Sequence, residues 1–273
     1  MNNSYQFFHL ETYAIKPKKG TLRPSAEAVA RECQRAEQSF PHVSNPKDPE
    51  LLYGIQPLDA LAKISDLIKS SKDSLGRKLR VDSQIIAMGV VSVNVESTDE
   101  AWESDEIKKW IQDTTDFLKC RFGDSFVSLM AHKDEAKCHL HMTILPKVKM
   151  DGSLDLDSFH PGLAAQRASK AKTKSAKDHA YKQAMRILQE EYFEAVSIKN
   201  GQLRFGPKRR RLSRKEWYNQ KRYAALVSKI FEEKSTLISS LNSKLEKAKN
   251  MLSKLLLKQF YNKKAPESHS KEL

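Results

Sequence analysis

The chain has 273 residues, with 48 Lys and Arg against 34 Asp and Glu and a formal net charge of +14. That length suits one large domain or a medium one with an appendage, and no run approaches the roughly 18 apolar residues that span a bilayer. No charged-then-apolar leader opens the sequence, so export is not expected. Its three cysteines (Cys33, Cys120, Cys138) show no CxxC spacing, which argues against a disulfide scaffold or a cysteine-rich zinc module and fits a reducing cytoplasm.

Charge divides unevenly along the chain. Residues 1–166 hold 21 basic and 24 acidic side chains, whereas residues 167–273 hold 27 and 10. A near-neutral folded domain followed by a polyanion-binding arm has this distribution. In chain order, the aromatic-rich stretch Ser4 to Ala14 predicts a strand. Ser25 is placed to cap a helix running through Ala28, Val29, Cys33 and Ala36. Three prolines, Pro41, Pro46 and Pro49, make the next segment an extended connector. Helical spacing returns over Leu58 to Ile68, and the β-branched run Gln84 to Val95 predicts a buried strand. Trp102 to Cys120 carries one apolar stripe, the mark of an amphipathic helix. Phe126 to His132 and His139 to Leu145 are two strands joined by a polar turn, a hairpin. After Pro146 come a Lys/Ala-rich stretch, a helix from about Asp178 to Val196, and a basic cluster from Lys208 to Lys215. Leu241, Leu245, Ala248, Leu252 and Leu255 then recur at coiled-coil spacing. Strands mixed with helices in this order predict an α+β sheet with helices packed on it.

Three of the eight histidines fall within ten residues, His132, His139 and His141. Residues two apart on a strand share a face, so His139 and His141 point together while Leu140, Met142 and Ile144 fill the opposite side. His132 ends the paired strand, and hairpin pairing brings its ring to the same face. Three neutral imidazoles on one face make an open divalent-metal site. Asp134 and Glu135 lie in the turn, placed to bond ring N–H groups or to hold a water.

The pattern HxDExxxHxH, preceded by a strand and followed by an apolar run to Pro146, resembles motif III of the Mob/Pre (MobV) plasmid mobilisation and recombination relaxases. The match holds at His132, Asp134, Glu135, His139 and His141. It departs at Cys138, where the family pattern has proline. Arg35, Pro41-His42-Val43, Leu51-Leu52-Tyr53-Gly54, Phe117 to Ala131 and Leu203 to Trp217 extend the resemblance over residues 5–220. It implies a HUH-type fold, a five-stranded antiparallel sheet flanked by helices. Residues 1–200 are then the catalytic domain, and residues 201–273 are a basic DNA-contacting segment with a helical arm.

The resemblance implies a metal-dependent relaxase that nicks DNA at a plasmid origin of transfer, with Mn2+ or Mg2+ on the three histidines and a covalent protein–DNA intermediate. Single-stranded or hairpin DNA is the expected partner, with conjugation machinery and a second copy of the chain, paired through the C-terminal helix, as further ones. Family members closest to the prototype carry the nucleophile as the histidine of an HxxR motif near the N-terminus. Here that stretch reads Glu32-Cys33-Gln34-Arg35, which puts Glu32 in the slot and leaves Arg35 to clamp the phosphate. His42 is the next choice, and Tyr5, Tyr13 and Tyr53 are phenolic alternatives. Glu135 joins the catalytic set, while Tyr53, Lys208, Arg209, Arg210, Arg211 and Arg214 are the expected DNA contacts. Two other functions fit the same residues: a non-catalytic DNA-binding protein, and a phosphodiesterase using activated water.

Overall fold

The computed structural model describes residues 4–37, 39–40, 43, 45–72, 76–151, 153–155, 157–205 and 214–262. The chain divides into two units, Met1–Arg210 and Arg211–Leu273.

A short strand, β1 (Ser4–Tyr5), precedes β2 (Phe7–Ala14). β2 buries Phe8, Leu10, Thr12 and Ala14, every second residue, because an extended chain sends successive side chains to opposite faces. The helix that follows, α1 (Ala26–Cys33), begins where expected, with the Ser25 hydroxyl accepting from the Ala28 N–H at 3.1 Å. It ends earlier than the spacing suggests. Arg35 has φ of 52°, a left-handed conformation that turns the chain before Ala36 can join the helix.

Strand β3 (Glu50–Gly54) and helix α2 (Pro57–Ser70) come next, then the 13-residue β4 (Gln84–Glu96). The stripe over Trp102 to Cys120 forms two helices, α3 (Asp99–Glu103) and α4 (Asp105–Phe122). They part at Ser104, whose extended backbone breaks the first helix and whose hydroxyl caps the second through the Ile107 N–H at 3.3 Å. The hairpin is β5 (Phe126–His132) and β6 (Lys137–Ile144), the second strand starting two residues before His139. Two short strands, β7 (Lys147–Val148) and β8 (Leu154–Asp155), pair with each other. Helices α5 (Pro161–Ala168) and α6 (Lys174–Tyr192) and strand β9 (Gln202–Leu203) complete the first unit.

The sheet order is β2-β4-β6-β5-β3, and every neighbouring pair is antiparallel. This is the expected five-stranded α+β sheet, with β6 at its centre. One face packs on α3, α4 and α6 through Trp102, Trp110, Phe117, Leu188 and Tyr192 against Phe8, Val91, Leu129, Leu140 and Met142. Each fully buried side chain of that size contributes about 1.5–3 kcal/mol. The opposite face is covered in part by α1 and α2, through Ala30, Cys33, Ala60 and Ile64 against Ile86, Met88 and Met130. The end of that layer meets the histidine face, where the carbonyl of Cys33, the last residue of α1, bonds the buried His132 ring.

β9 pairs in parallel with β1, and the Asn200 side chain bonds Asp113 at 2.8 Å. Residues as far as Leu203 are therefore tied to the sheet domain. The second unit contains one 49-residue helix, α7 (Arg214–Asn262). Its Leu241, Leu245 and Leu252 are exposed, three positions of the expected coiled-coil seam.

Candidate functional site

Alternation on the central hairpin sets the histidine face. Leu140, Met142 and Ile144 point into the α4/α6 core, so His139 and His141 emerge on the other side. In the register His132 stands opposite His139, and Met130 stands opposite His141. The rings of His132 and His141 stack with centroids 4.1 Å apart, and His139 lies 5.2 Å from each. The three predicted metal ligands thus lie together.

Backbone carbonyls set the tautomers of two rings. His132 Nε2 donates to the Cys33 carbonyl at 2.6 Å, which leaves the lone pair on Nδ1. That atom is buried and has no hydrogen-bond partner. Burial, reinforced by the charge of Arg35, lowers the His132 pKa to about 4, so the ring is a neutral donor at physiological pH. His139 Nδ1 donates to the Lys137 carbonyl at 2.9 Å, and its Nε2 lies 3.7 Å from Glu135 Oε1. The donor set fits a divalent metal ion.

Two groups of donor atoms lie within 4.8 Å of one another: His132, Glu135 and His139, and Cys33, His132 and His141. Glu135 and Cys33 therefore flank the histidines. The place of Cys33 was not legible in the sequence, where it reads as one more buried residue of a helix. Burial pushes its thiol up to about 12. Cys138, where the motif departs from its family, is fully buried on the opposite face and packs in the core.

A buried ion-pair cluster closes one side of the site. Arg35 Nε and Nη2 donate to the two oxygens of Asp134, each at 2.8 Å, and Nη2 also donates to Glu135 at 2.7 Å. The Arg35 and Asp134 side chains are 3% and 1% exposed, and that of Glu135 is 35% exposed. Burial alone would raise the Asp134 carboxyl, but the bonds and charge of Arg35 outweigh it and hold the pKa below its ordinary value. The expected phosphate clamp is thus turned onto carboxylates. Arg35 holds the turn that carries Asp134 and Glu135.

Glu32 lies at the end of α1, half-buried, with its charge within reach of the Cys33 thiol. The Tyr53 ring stacks on Phe126 at 4.8 Å, with the Lys119 ammonium 4.5 Å from its centroid. Tyr5 sits on β1 and Tyr13 packs against the α1/α2 core. His42, Lys208, Arg209, Arg210 and Arg211 lie outside the described residues, as does the side chain of Arg214.

The family model for plasmid recombination enzymes, Mob_Pre, matches residues 16–225. Among solved structures, a Mn-bound crystal structure at pH 5.5 of the MobM relaxase domain (MOBV; Mob_Pre), bound to 22 nucleotides of plasmid pMV158 oriT DNA, is 13% identical. Its TM-score is 0.51, and the match covers 79% of this chain and 99% of that one. The same domain bound to 22 nucleotides with a 3′ thiophosphate, Mn-bound at pH 6.8, gives 14% identity, a TM-score of 0.48 and coverage of 79% and 98%. A structure described as the molecular basis of vancomycin resistance transfer in Staphylococcus aureus gives 11%, 0.31, and 74% and 100%. No curated protein sequence matches the chain.

Proposed function

We propose, from the premise that the chain belongs to the plasmid recombination enzyme family Mob_Pre, that it is a metal-dependent relaxase. In this reading it nicks one DNA strand at a plasmid origin of transfer and passes that strand on through a covalent protein–DNA link. One observation carries the reading: the rings of His132, His139 and His141 lie together on a single face of the hairpin, with donor atoms of His132, Glu135 and His139 within 4.8 Å of one another. His132, His139 and His141 would hold a divalent ion, Mn2+ or Mg2+, with Glu135 beside them. Mn is the metal named for the MobM relaxase domain, and oriT DNA is its partner. Such an ion, when bound, supplies positive charge against the scissile phosphate.

The protein's own residues do the rest. The Cys33 carbonyl orients His132, and the Lys137 carbonyl orients His139. Arg35 positions Glu135. Glu32, three residues before Arg35 in the family's nucleophile slot, attacks phosphorus. The P–O3′ bond breaks, the 3′ oxygen leaves, and the new acyl phosphate keeps the bond energy for rejoining. The basic segment Lys208 to Arg214 and the Lys119–Tyr53 pair contact the strand, and the exposed seam of α7 pairs two copies of the chain.

The test is incubation of the protein and Mn2+ with a supercoiled plasmid carrying an origin of transfer. The expected product is a nicked circle whose 5′ end is blocked by protein. The attached peptide should contain Glu32, and hydroxylamine should release it. A free 5′ phosphate would instead mean an activated-water phosphodiesterase. Tight binding without cleavage would leave a DNA-binding protein.

A further inference from the structure

We infer that Cys33 is a metal ligand of this chain, and that its thiolate joins His132 and His141 on a borderline-soft divalent ion such as Co2+ or Zn2+. The inference rests on the metal site of the relaxase reading. The donor atoms of Cys33, His132 and His141 lie within 4.8 Å of one another. His132, 1% exposed, carries a buried Nδ1 that no protein group satisfies. Cys33 itself is 1% exposed and is the last residue of α1, where its own carbonyl already anchors the His132 ring. The same residue therefore supplies both the group that orients an imidazole and a sulfur beside it.

The two donor groups share His132 and differ in chemistry. On one side stands the carboxylate of Glu135 with His139, and on the other the sulfur of Cys33 with His141. Hard ions such as Mn2+ and Mg2+ prefer the oxygen. Co2+ and Zn2+ accept thiolate as well as imidazole. When Cys33 binds such an ion its thiol proton passes to solvent, and one proton is released for each site filled. If Cys33 were only a small apolar residue packing α1 on the sheet, its sulfur would not appear in the spectrum of any bound metal.

Titration of the full chain with Co2+, followed by absorbance, tests the inference. The wild-type protein should show visible d–d bands together with a near-ultraviolet thiolate-to-cobalt charge-transfer band. Cys33→Ser should keep the d–d bands, lose the charge-transfer band, and bind Co2+ at least about tenfold more weakly. Its Mn2+ affinity should stay within about twofold of wild type, since an oxygen-preferring ion does not rely on the sulfur. Cys120→Ser and Cys138→Ala should keep both sets of bands. The wild-type spectrum is decisive even if a Cys33 variant folds poorly. Wild-type d–d bands without charge transfer would overturn the Cys33 assignment and leave the histidine site standing. Charge transfer that survives in a folded Cys33→Ser variant would also overturn it. The absence of any cobalt bands would overturn the metal site and this inference together.

Discussion

Replacing Arg35 with Met should cost the fold about 4 kcal/mol. The guanidinium makes three bonds of 2.7–2.8 Å to two carboxylates, and Asp134 is 1% exposed. Removing one partner of a buried ion pair leaves an uncompensated charge, which costs about 3–5 kcal/mol. Glu135 is 35% exposed and can turn to water, so the loss centres on Asp134. The left-handed backbone at Arg35 strains Met as it strains Arg, and that strain cancels in the difference. The assay is urea unfolding. With a slope of about 2 kcal/mol per molar, the midpoint should fall by about 2 M. Arg35→Lys should lose roughly half as much, because an ammonium cannot hold both Asp134 oxygens in a fork. Arg35→Met with Asp134→Leu should regain at least about 2 kcal/mol over the single variant, since no orphan charge remains. A single variant within about 1 kcal/mol of wild type, with an unchanged slope, would refute the reasoning.

His160 caps α5, its Nδ1 accepting from the Leu163 N–H at 3.2 Å, and burial lowers its pKa to about 4. Above pH 6.5 the ring is neutral in both states; between 6.5 and 4 only the unfolded chain takes up the proton, so stability falls by about 3 kcal/mol in all. His160→Asn, which keeps a capping oxygen and does not titrate, should remove that part of the slope when unfolding is compared at pH 7 and 4.5; an unchanged slope would contradict the assignment. Gly54 has φ of 81°, and a Cβ there would lie 1.9 Å from the Val127 carbonyl oxygen, so Gly54→Ala should cost about 2–4 kcal/mol in thermal unfolding. Deleting residues 206–273, which carry 18 Lys and Arg against 6 Asp and Glu, should flatten the salt dependence of single-strand binding by about 0.7 for each phosphate that the shortened chain no longer neutralises. Truncation after Val196 would confuse that measurement, because β9 and Asn200 are fastened to the sheet domain.

Where local pattern decides structure, the sequence was readable. The apolar run of β4 is buried on both faces because two strands flank it and helices cover the sheet, and the alternation of β6 sorts histidine from core with no knowledge of the rest. β3 was hidden for a physical reason. Glu50-Leu-Leu-Tyr-Gly does not alternate, since a register shift between Leu51 and Tyr53 interrupts its pairing with β5. An edge strand with a bulge leaves little periodic trace. α5 leaves no apolar stripe in the sequence, because the eight-residue helix Pro161–Ala168 buries only Gly162 fully. The break at Ser104 was equally hidden, since a good stripe runs through both α3 and α4 and only the cap divides them.

The site divides along the same line. The histidines were legible because a two-residue period and one short turn bring them together. The partners of those histidines were not, because they arrive from a distant helix. Arg35 and Asp134 are 99 positions apart, as are Cys33 and His132, and no periodicity links such pairs. The turn at Arg35 is what joins the two halves of the site. By leaving the helix in a left-handed conformation, the chain presents the guanidinium to Asp134 and Glu135 just beyond the residue whose carbonyl holds His132. One stretch of four residues, Glu32 to Arg35, therefore carries the proposed nucleophile, the proposed sulfur ligand and the positioning cation. A substitution in this stretch reaches the histidine face through hydrogen bonds as well as through the core in which Cys33 packs.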